Sequence, residues 1–342
     1  MNTSTSKLYS TTLVLTVLLL AVALFGVTPG VHAQSATQAT YSSPDNAMQA
    51  LVKAVTAADR AAIATIFGPD HEQLLSGDEI EDANDLADFA KAVNESAQLQ
   101  KAGDSSYTVV VGKNSYPMPI PIVQKDGKWM FDTKAGLDEV LNRRIGENEL
   151  SAISTCRAYA IAQWEYFTEG DWDNDGVAEY AQHLVSSPGE HDGLYWETSE
   201  GEKPSPLGKL VAAAREEGYA FKSHRRSGSD QSAKPTAEPG SEQVARVHQR
   251  TPFHGYYLKI LKNQGPHAPG GKYSYIINGN MIAGYALVAF PDKWGNSGVM
   301  TFIINQQGRV YQKNLGPETA KIAAAITEYN PDPTWKLVQA QP

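Results

Sequence analysis

The sequence predicts an α+β protein: an N-terminal helix and curved-sheet roll, then a long helix packed on an antiparallel sheet. Three observations predict that class. Apolar residues at helical spacing open the chain after Ser43. A 3.6-residue apolar period returns from Leu137 to Phe167. Runs rich in Val, Ile, Tyr and Phe, separated by short turns bearing Gly or Asn, follow each helical stretch.

A segment of a different kind precedes these elements. Lys7 is followed by the apolar run Leu13–Phe25, then by Pro29-Gly30 and the small-residue pattern Val31-His32-Ala33. That order is the order of a secretory signal peptide, residues 1–33, cleaved after Ala33. A retained anchor needs about 20 apolar residues to cross a bilayer. The run here is shorter, and no cysteine follows it to carry a lipid. The expected mature protein is therefore periplasmic or secreted and has no membrane span. Cleavage leaves about 309 residues, enough for two domains at roughly 100–200 residues each.

Residues 34–42, rich in Gln, Ser, Ala and Thr, read as a flexible leader. The first domain is expected over 43–133. Ser43-Pro44-Asp45 is a helix start, and Ala47, Leu51, Val52 and Val55 follow at helical spacing. A second short helix runs from Ala58 to Phe67, where Gly68-Pro69 stops it. Between Asp70 and Glu95 nine acids stand against Lys91 alone, a run read as a solvated helix face. Strand signals come next at 107–111, 118–123 and 128–132, and Lys125-Asp126-Gly127 marks a hairpin between the last two. Pro119 and Pro121 alternate, which places their strand at an edge. Helices followed by a hairpin ending in Gly-Lys-Trp-Met-Phe-Asp resemble the roll of the nuclear-transport-factor-2 or cystatin type.

The second domain is expected over 134–342. Leu137, Val140, Leu141, Ile145, Ala152, Cys156, Tyr159, Ala160, Trp164 and Phe167 fall on one helical stripe, so both aromatics read as core. Gly146 costs about 1 kcal/mol relative to Ala in such a helix and suggests a break there. A short helix starts at Ser205-Pro206. Residues 223–250 are a low-complexity insertion, too poor in apolar side chains to offset the entropy of ordering. Strands are expected at 255–261, 273–277, 283–290, 299–304 and 309–312, with turns at Asn278-Gly279-Asn280 and Asn305-Gln306-Gln307-Gly308. A last helix runs from Pro317 to Tyr329.

Composition excludes one class of partner. With 29 basic and 38 acidic residues the net charge is −9, and loss of Lys7 takes it to −10. Nucleic acid needs a basic footprint, so it is not expected as a partner. The single cysteine, Cys156, cannot form an internal disulfide and reads as a small buried core residue. No catalytic residue or cofactor site is expected. A nucleophile elbow, a His-x-x-x-His zinc pair, a phosphate loop and a dinucleotide fingerprint are all missing from the sequence. Cys156, His191, Asp192 and His254 are the residues an enzyme reading would use, and adjacent His191 and Asp192 are poorly placed to face each other.

The most specific local signal is Asp171-Trp-Asp173-Asn-Asp175-Gly176-Val177-Ala-Glu179. Acids at alternate positions of a tight turn converge their oxygens on a hard cation, and Gly176 lets the backbone turn sharply. Asp171, Asp173 and Asp175 would ligate Ca2+, with Glu179 or the Val177 carbonyl completing the shell. A helix-loop-helix calcium hand would want an acid where Gln182 stands. The same residues favour a turn without any metal, so both readings stay open.

Several motifs in order carry a family resemblance. These are Leu141-Asn-Arg-Arg-Ile-Gly146, Asn148-Glu149-Leu150, the Asp-rich turn with Glu179-Tyr180, and Ser187-Pro-Gly-Glu-His-Asp-Gly-Leu-Tyr-Trp196. His254-Gly-Tyr-Tyr257, Ala268-Pro-Gly-Gly271 and Gly298-Val-Met-Thr-Phe-Ile-Ile-Asn-Gln306 complete the set. Together they resemble an uncharacterised exported bacterial family, domain of unknown function 2950, over nearly all of the mature chain. The basic stretch between Phe221 and Pro252 departs from it. A further likeness is of fold: the helix carrying Asn148-Glu149, Arg157, Gln163 and Tyr166, followed by an antiparallel sheet, is similar to type IV pilin-like heads. The expected function is non-enzymatic binding at the envelope, to an envelope protein or cell-wall component, with calcium as a possible stabiliser. An envelope hydrolase using carboxylate or His chemistry is the alternative.

Overall fold

A computed structural model describes residues 38–170, 172, 176–219 and 252–339, and these form an α+β protein. The signal segment, residues 34–37 of the leader and the low-complexity insertion lie outside the described residues.

Helix α1 (Pro44–Thr56) starts where Ser43 Oγ accepts the Asn46 N–H, and Asp59 caps α2 (Arg60–Phe67) in the same way. A 3₁₀ turn (Gly68–Leu74) leads to α3 (Glu79–Glu95), whose cap Asp78 accepts from the N–H groups of Ile80 and Glu81. Five strands follow: β1 (Ala97–Gly103), β2 (Ser106–Val111), β3 (Tyr116–Pro117), β4 (Ile122–Lys125) and β5 (Lys128–Phe131). They form one antiparallel sheet in the order β1-β2-β4-β5, with β3 beside β2. Asp126 and Gly127 close the β4–β5 hairpin with φ of 52° and 75°, the left-handed pair that such a turn requires. Leu51, Val55, Phe67, Val109, Ile122 and Phe131 form the core between helices and sheet.

One expectation fails here, and one strand was not expected at all. Residues 118–121 do not join the ladder as a proline-bearing edge strand, because Pro119 and Pro121 lack the N–H that pairing needs. Met118 and Ile120 are buried all the same. The strand β1 that flanks β2 is mostly exposed and polar, and no apolar alternation announced it.

Helix α4 (Thr133–Glu169) is 37 residues long, about 55 Å. It does not break at Gly146. That residue is exposed and a Cβ there would meet nothing, so packing on either side carries the helix across it. In the first half, Gly136 lies so close to the chain before β4 that a Cβ would stand 2.7 Å from Ile120 Cα. In the second half Ala152, Cys156, Tyr159 and Ala162 join a larger core.

Beyond α5 (Gly208–Glu216) come β6 (Tyr256–Leu261), β7 (Asn263–Gln264), β8 (Tyr273–Ser274), β9 (Ile276–Ile277) and β10 (Asn280–Met281). Then follow β11 (Ala286–Pro291), β12 (Met300–Asn305), β13 (Tyr311–Asn314), α6 (Thr319–Ala325) and β14 (Lys336–Leu337). The main sheet is antiparallel in the order β14-β13-β12-β11-β6, and β7–β8 and β9–β10 are small separate pairs. Tyr256 and Lys259 point to opposite faces of β6, as odd and even strand positions must. Tyr256 faces α4, while Lys259 Nζ donates to the Ala323 and Ala324 carbonyls at 3.0 and 2.8 Å and so caps α6. Among the described residues no helix is long and apolar enough to cross a membrane.

Candidate functional site

Two places on the molecule concentrate polar or aromatic chemistry. The first is the junction where α3 meets α4. Arg144 is buried on α4, and its guanidinium donates to the carbonyls of Leu74 and Leu75 and, at 2.7 Å, to Asn296 Oδ1. Asn296 Nδ2 donates onward to the Ser76 carbonyl at 3.0 Å. One turn along α4, Asn148 Nδ2 donates to the Ser297 carbonyl at 3.1 Å, and Glu149 Oε1 accepts the N–H groups of Val299 and Met300, each at 3.0 Å. Gly255, at φ 67°, sits against Ser297 and Asn148, where a Cβ would fall 2.7 Å from Ser297 Cβ. No other residue fits that approach.

The junction is acidic around its arginine. Burial, then the neighbouring Asp85 and Asp78, push the Glu81 carboxyl up to about 7 against the pull of Arg144. Partial desolvation and Glu147 push Asp85 up to about 6. Tyr219 donates its hydroxyl to Asp78 Oδ2 at 3.1 Å, and His254 Nε2 lies 3.1 Å from Glu217. The run from Asp70 to Glu95 is thus more than the solvated face expected of it: part of that face is drawn against α4.

The second place is the C-terminal half of α4. Ile161 and Trp164 are 68 % and 59 % exposed. Trp164 is not the core residue expected, since it lies five positions past buried Tyr159, about 140° round the helix. Its ring stacks on Phe167 at 6.2 Å, Phe167 stacks on Tyr180 at 4.7 Å, and Tyr180 meets Tyr285 at 4.8 Å. The ladder ends inside the core at Tyr159. On the other side of the helix His191 stacks on Trp196 at 4.4 Å and Trp172 packs against both. Tyr166 ties this group to α4 by donating to the His191 carbonyl at 2.7 Å. Lys203 bridges Glu165 and Glu169 beside it.

Of the residues assigned to a calcium turn, Asp171, Asp173 and Asp175 lie outside the described residues. Glu179 Oε2 accepts the Met281 N–H at 2.8 Å and Tyr180 N–H donates to the Met281 carbonyl at 2.8 Å, so the chain after the turn is paired to β10. Val177 is partly buried just before it. Among the described residues no three His, Cys, Asp or Glu side chains are grouped to hold a metal. Candidates for an enzyme reading have other partners. Cys156 is fully buried, which pushes its thiol up to about 12. Asp192 accepts from Ser187 N–H and Oγ–H, whereas His191 stacks on Trp196.

The model of the family described as Protein of unknown function (DUF2950) matches residues 38–338. The chain belongs to that family. No curated protein and no solved structure matches it. Motifs that carry the family resemblance, scattered in sequence, meet in space. Arg144, Asn148, Glu149, His254 to Tyr257 and Gly298 to Met300 build the junction. Tyr180, Trp196 and His191 build the aromatic end of α4, and the Ala268–Gly271 turn receives Gln264 Nε2 at its Pro269 and Gly271 carbonyls.

Proposed function

We propose that this chain is an exported binding protein that recognises an envelope component on the outward face of α4, and that it acts without catalysis. The observation that carries this reading is the exposure of Trp164 beside Ile161. An indole left in water next to a second large apolar residue, backed by a ring ladder, is what a recognition patch requires. Export rests on Lys7, the apolar run 13–25 and the Val31-His32-Ala33 pattern, and it places the mature protein in the periplasm or outside the cell. The likeness to pilin heads belongs to the same proposal, a long helix laid on an antiparallel sheet being common to both.

Mature protein and an Ile161→Ala/Trp164→Ala variant, each immobilised and exposed to solubilised envelope, test the reading. The expected result is a component retained by the first and lost by the second, with unchanged circular dichroism. Equal retention by both, or none by either, removes the patch as the recognition surface. N-terminal sequencing of native material is expected to begin at Gln34. Calcium, ligated by Asp171, Asp173 and Asp175 with Glu179 or the Val177 carbonyl, is proposed to steady the turn after α4. Calorimetric titration is expected to show heat that an Asp173→Ala/Asp175→Ala variant loses.

A further inference from the structure

The α3–α4 junction joins three separate pieces of chain through a few side chains. Residues 74–76, the α4 turn 144–148 and the loop 296–297 are laced by Arg144, Asn148 and Asn296. Among the described residues the Arg144 guanidinium makes three hydrogen bonds, all to neutral oxygens. The carboxylates surrounding it contribute charge instead. From α3, Glu81, Asp82 and Asp85 act on Arg144, with Asp78 behind Glu81 and Asp88 beyond Asp85. From α4, Glu147 faces Asp85 and Asn148 reaches Glu81. From the C-terminal part, the Tyr219 hydroxyl faces Asp78 and Glu81, and Lys293 reaches Gly77. Glu81 Oε2 is buried with no hydrogen-bond partner among the described residues.

An ionised carboxylate with a desolvated, undonated oxygen among other acids is unfavourable, and a protonated one is not. We propose that this junction is a pH-dependent latch, in which protonation of Glu81, and then of Asp85, tightens the contact of α3 with α4 and the loop at 296–297, and ionisation loosens it. The direction follows from linkage. Both carboxyls titrate higher in the closed junction than free in water, Glu81 at about 7 and Asp85 at about 6, so closing takes up protons. The closed form is therefore fully favoured only below the free carboxyl values of 4.5 and 3.8 and loses that advantage as pH rises through about 6 and 7. The attraction of these carboxylates to the Arg144 guanidinium acts in the opposite sense, and burial outweighs it at both Glu81 and Asp85.

Hydrogen exchange of the whole protein, read by mass spectrometry on peptides covering 74–85 and 293–299 and corrected for intrinsic rate, tests the latch. Protection of these peptides is expected to be about tenfold greater at pH 5.5 than at pH 7.5. Glu81→Gln should hold the high protection at both values, with less than about twofold change left. Asp85→Asn, whose carboxyl is more open to solvent, should remove a smaller share of the difference, and it serves if Glu81→Gln does not fold. Peptides covering 273–281, which lie outside the junction, should show no such pH dependence. Flat protection in the parent protein overturns the proposal, and so does a pH response that survives in both variants.

Discussion

The N-terminal roll and the C-terminal layer are both helix-on-sheet structures, but their cores are made differently. Among the described residues, the buried set of the roll holds no tyrosine, and Leu51, Val109, Ile122, Phe67 and Phe131 fill it by shape alone. The larger C-terminal core buries Tyr159, Tyr166, Tyr195, Tyr256, Tyr257, Tyr275, Tyr285 and Tyr329. Each brings a hydroxyl that loses water on folding and needs a partner. Tyr159 donates to the Ala286 carbonyl, Tyr256 to Met300, Tyr285 to Ala160 and Tyr275 to Gln264 Oε1. One core is thus specified by volume, the other by volume and direction together. Helix α4 belongs to both, and Arg144 sits where they meet.

If the roll is held by shape, removing volume from its centre should hurt most. Phe131 is fully buried and meets Phe67 edge-on at 5.4 Å. Phe131→Ala is expected to cost about 3–5 kcal/mol in urea denaturation, as large-to-small changes in tight cores do. A loss below about 1 kcal/mol would show that the roll collapses around the gap and is not close-packed there. Next in size is Arg144→Ala, expected to cost about 3 kcal/mol because it strands the Leu74 and Leu75 carbonyls and Asn296 together. Arg144→Lys should recover little of it, since one ammonium cannot match a planar fork aimed at three acceptors. Recovery by Lys would mean that charge, rather than the fork, joins the two halves.

Local chemistry was legible in the sequence and assembled chemistry was not. The hairpins at Asp126-Gly127 and Asn278-Gly279 stand where turn residues put them, because left-handed φ is a property of the residues themselves. Of the expected strand 118–123 only 122–123 pairs: Met118, Ile120 and Ile122 alternate as a strand does, while Pro119 and Pro121 forbid pairing on one side. Edge strand β1 carries too few apolar residues to signal itself, its partner being backbone. At Trp164 a stripe drawn too wide placed in the core a ring that faces water. The junction draws on residues 74–85, 144–149, 217–219, 254–257 and 292–300, each unremarkable alone. Only the fold brings them together, so no pattern in the run Asp70 to Glu95 could single out Glu81 and Asp85 from their neighbours.

The smallest expected effects separate the two kinds of core most sharply. Tyr256→Phe removes a hydroxyl that donates to Met300 at 2.9 Å and leaves that carbonyl one donor short, which should cost about 1 kcal/mol. Tyr329 is just as buried, yet its hydroxyl has no hydrogen-bond partner among the described residues. Tyr329→Phe therefore discards a desolvated polar atom and keeps the ring, and is expected to be neutral or stabilising by up to about 1 kcal/mol. Both variants conserve shape, so a core held by volume alone would treat them alike. Opposite signs in parallel urea titrations would show that direction matters in this core residue by residue. Equal losses would mean that the Tyr329 hydroxyl has a partner of its own, such as an ordered water, and is satisfied as Tyr256 is.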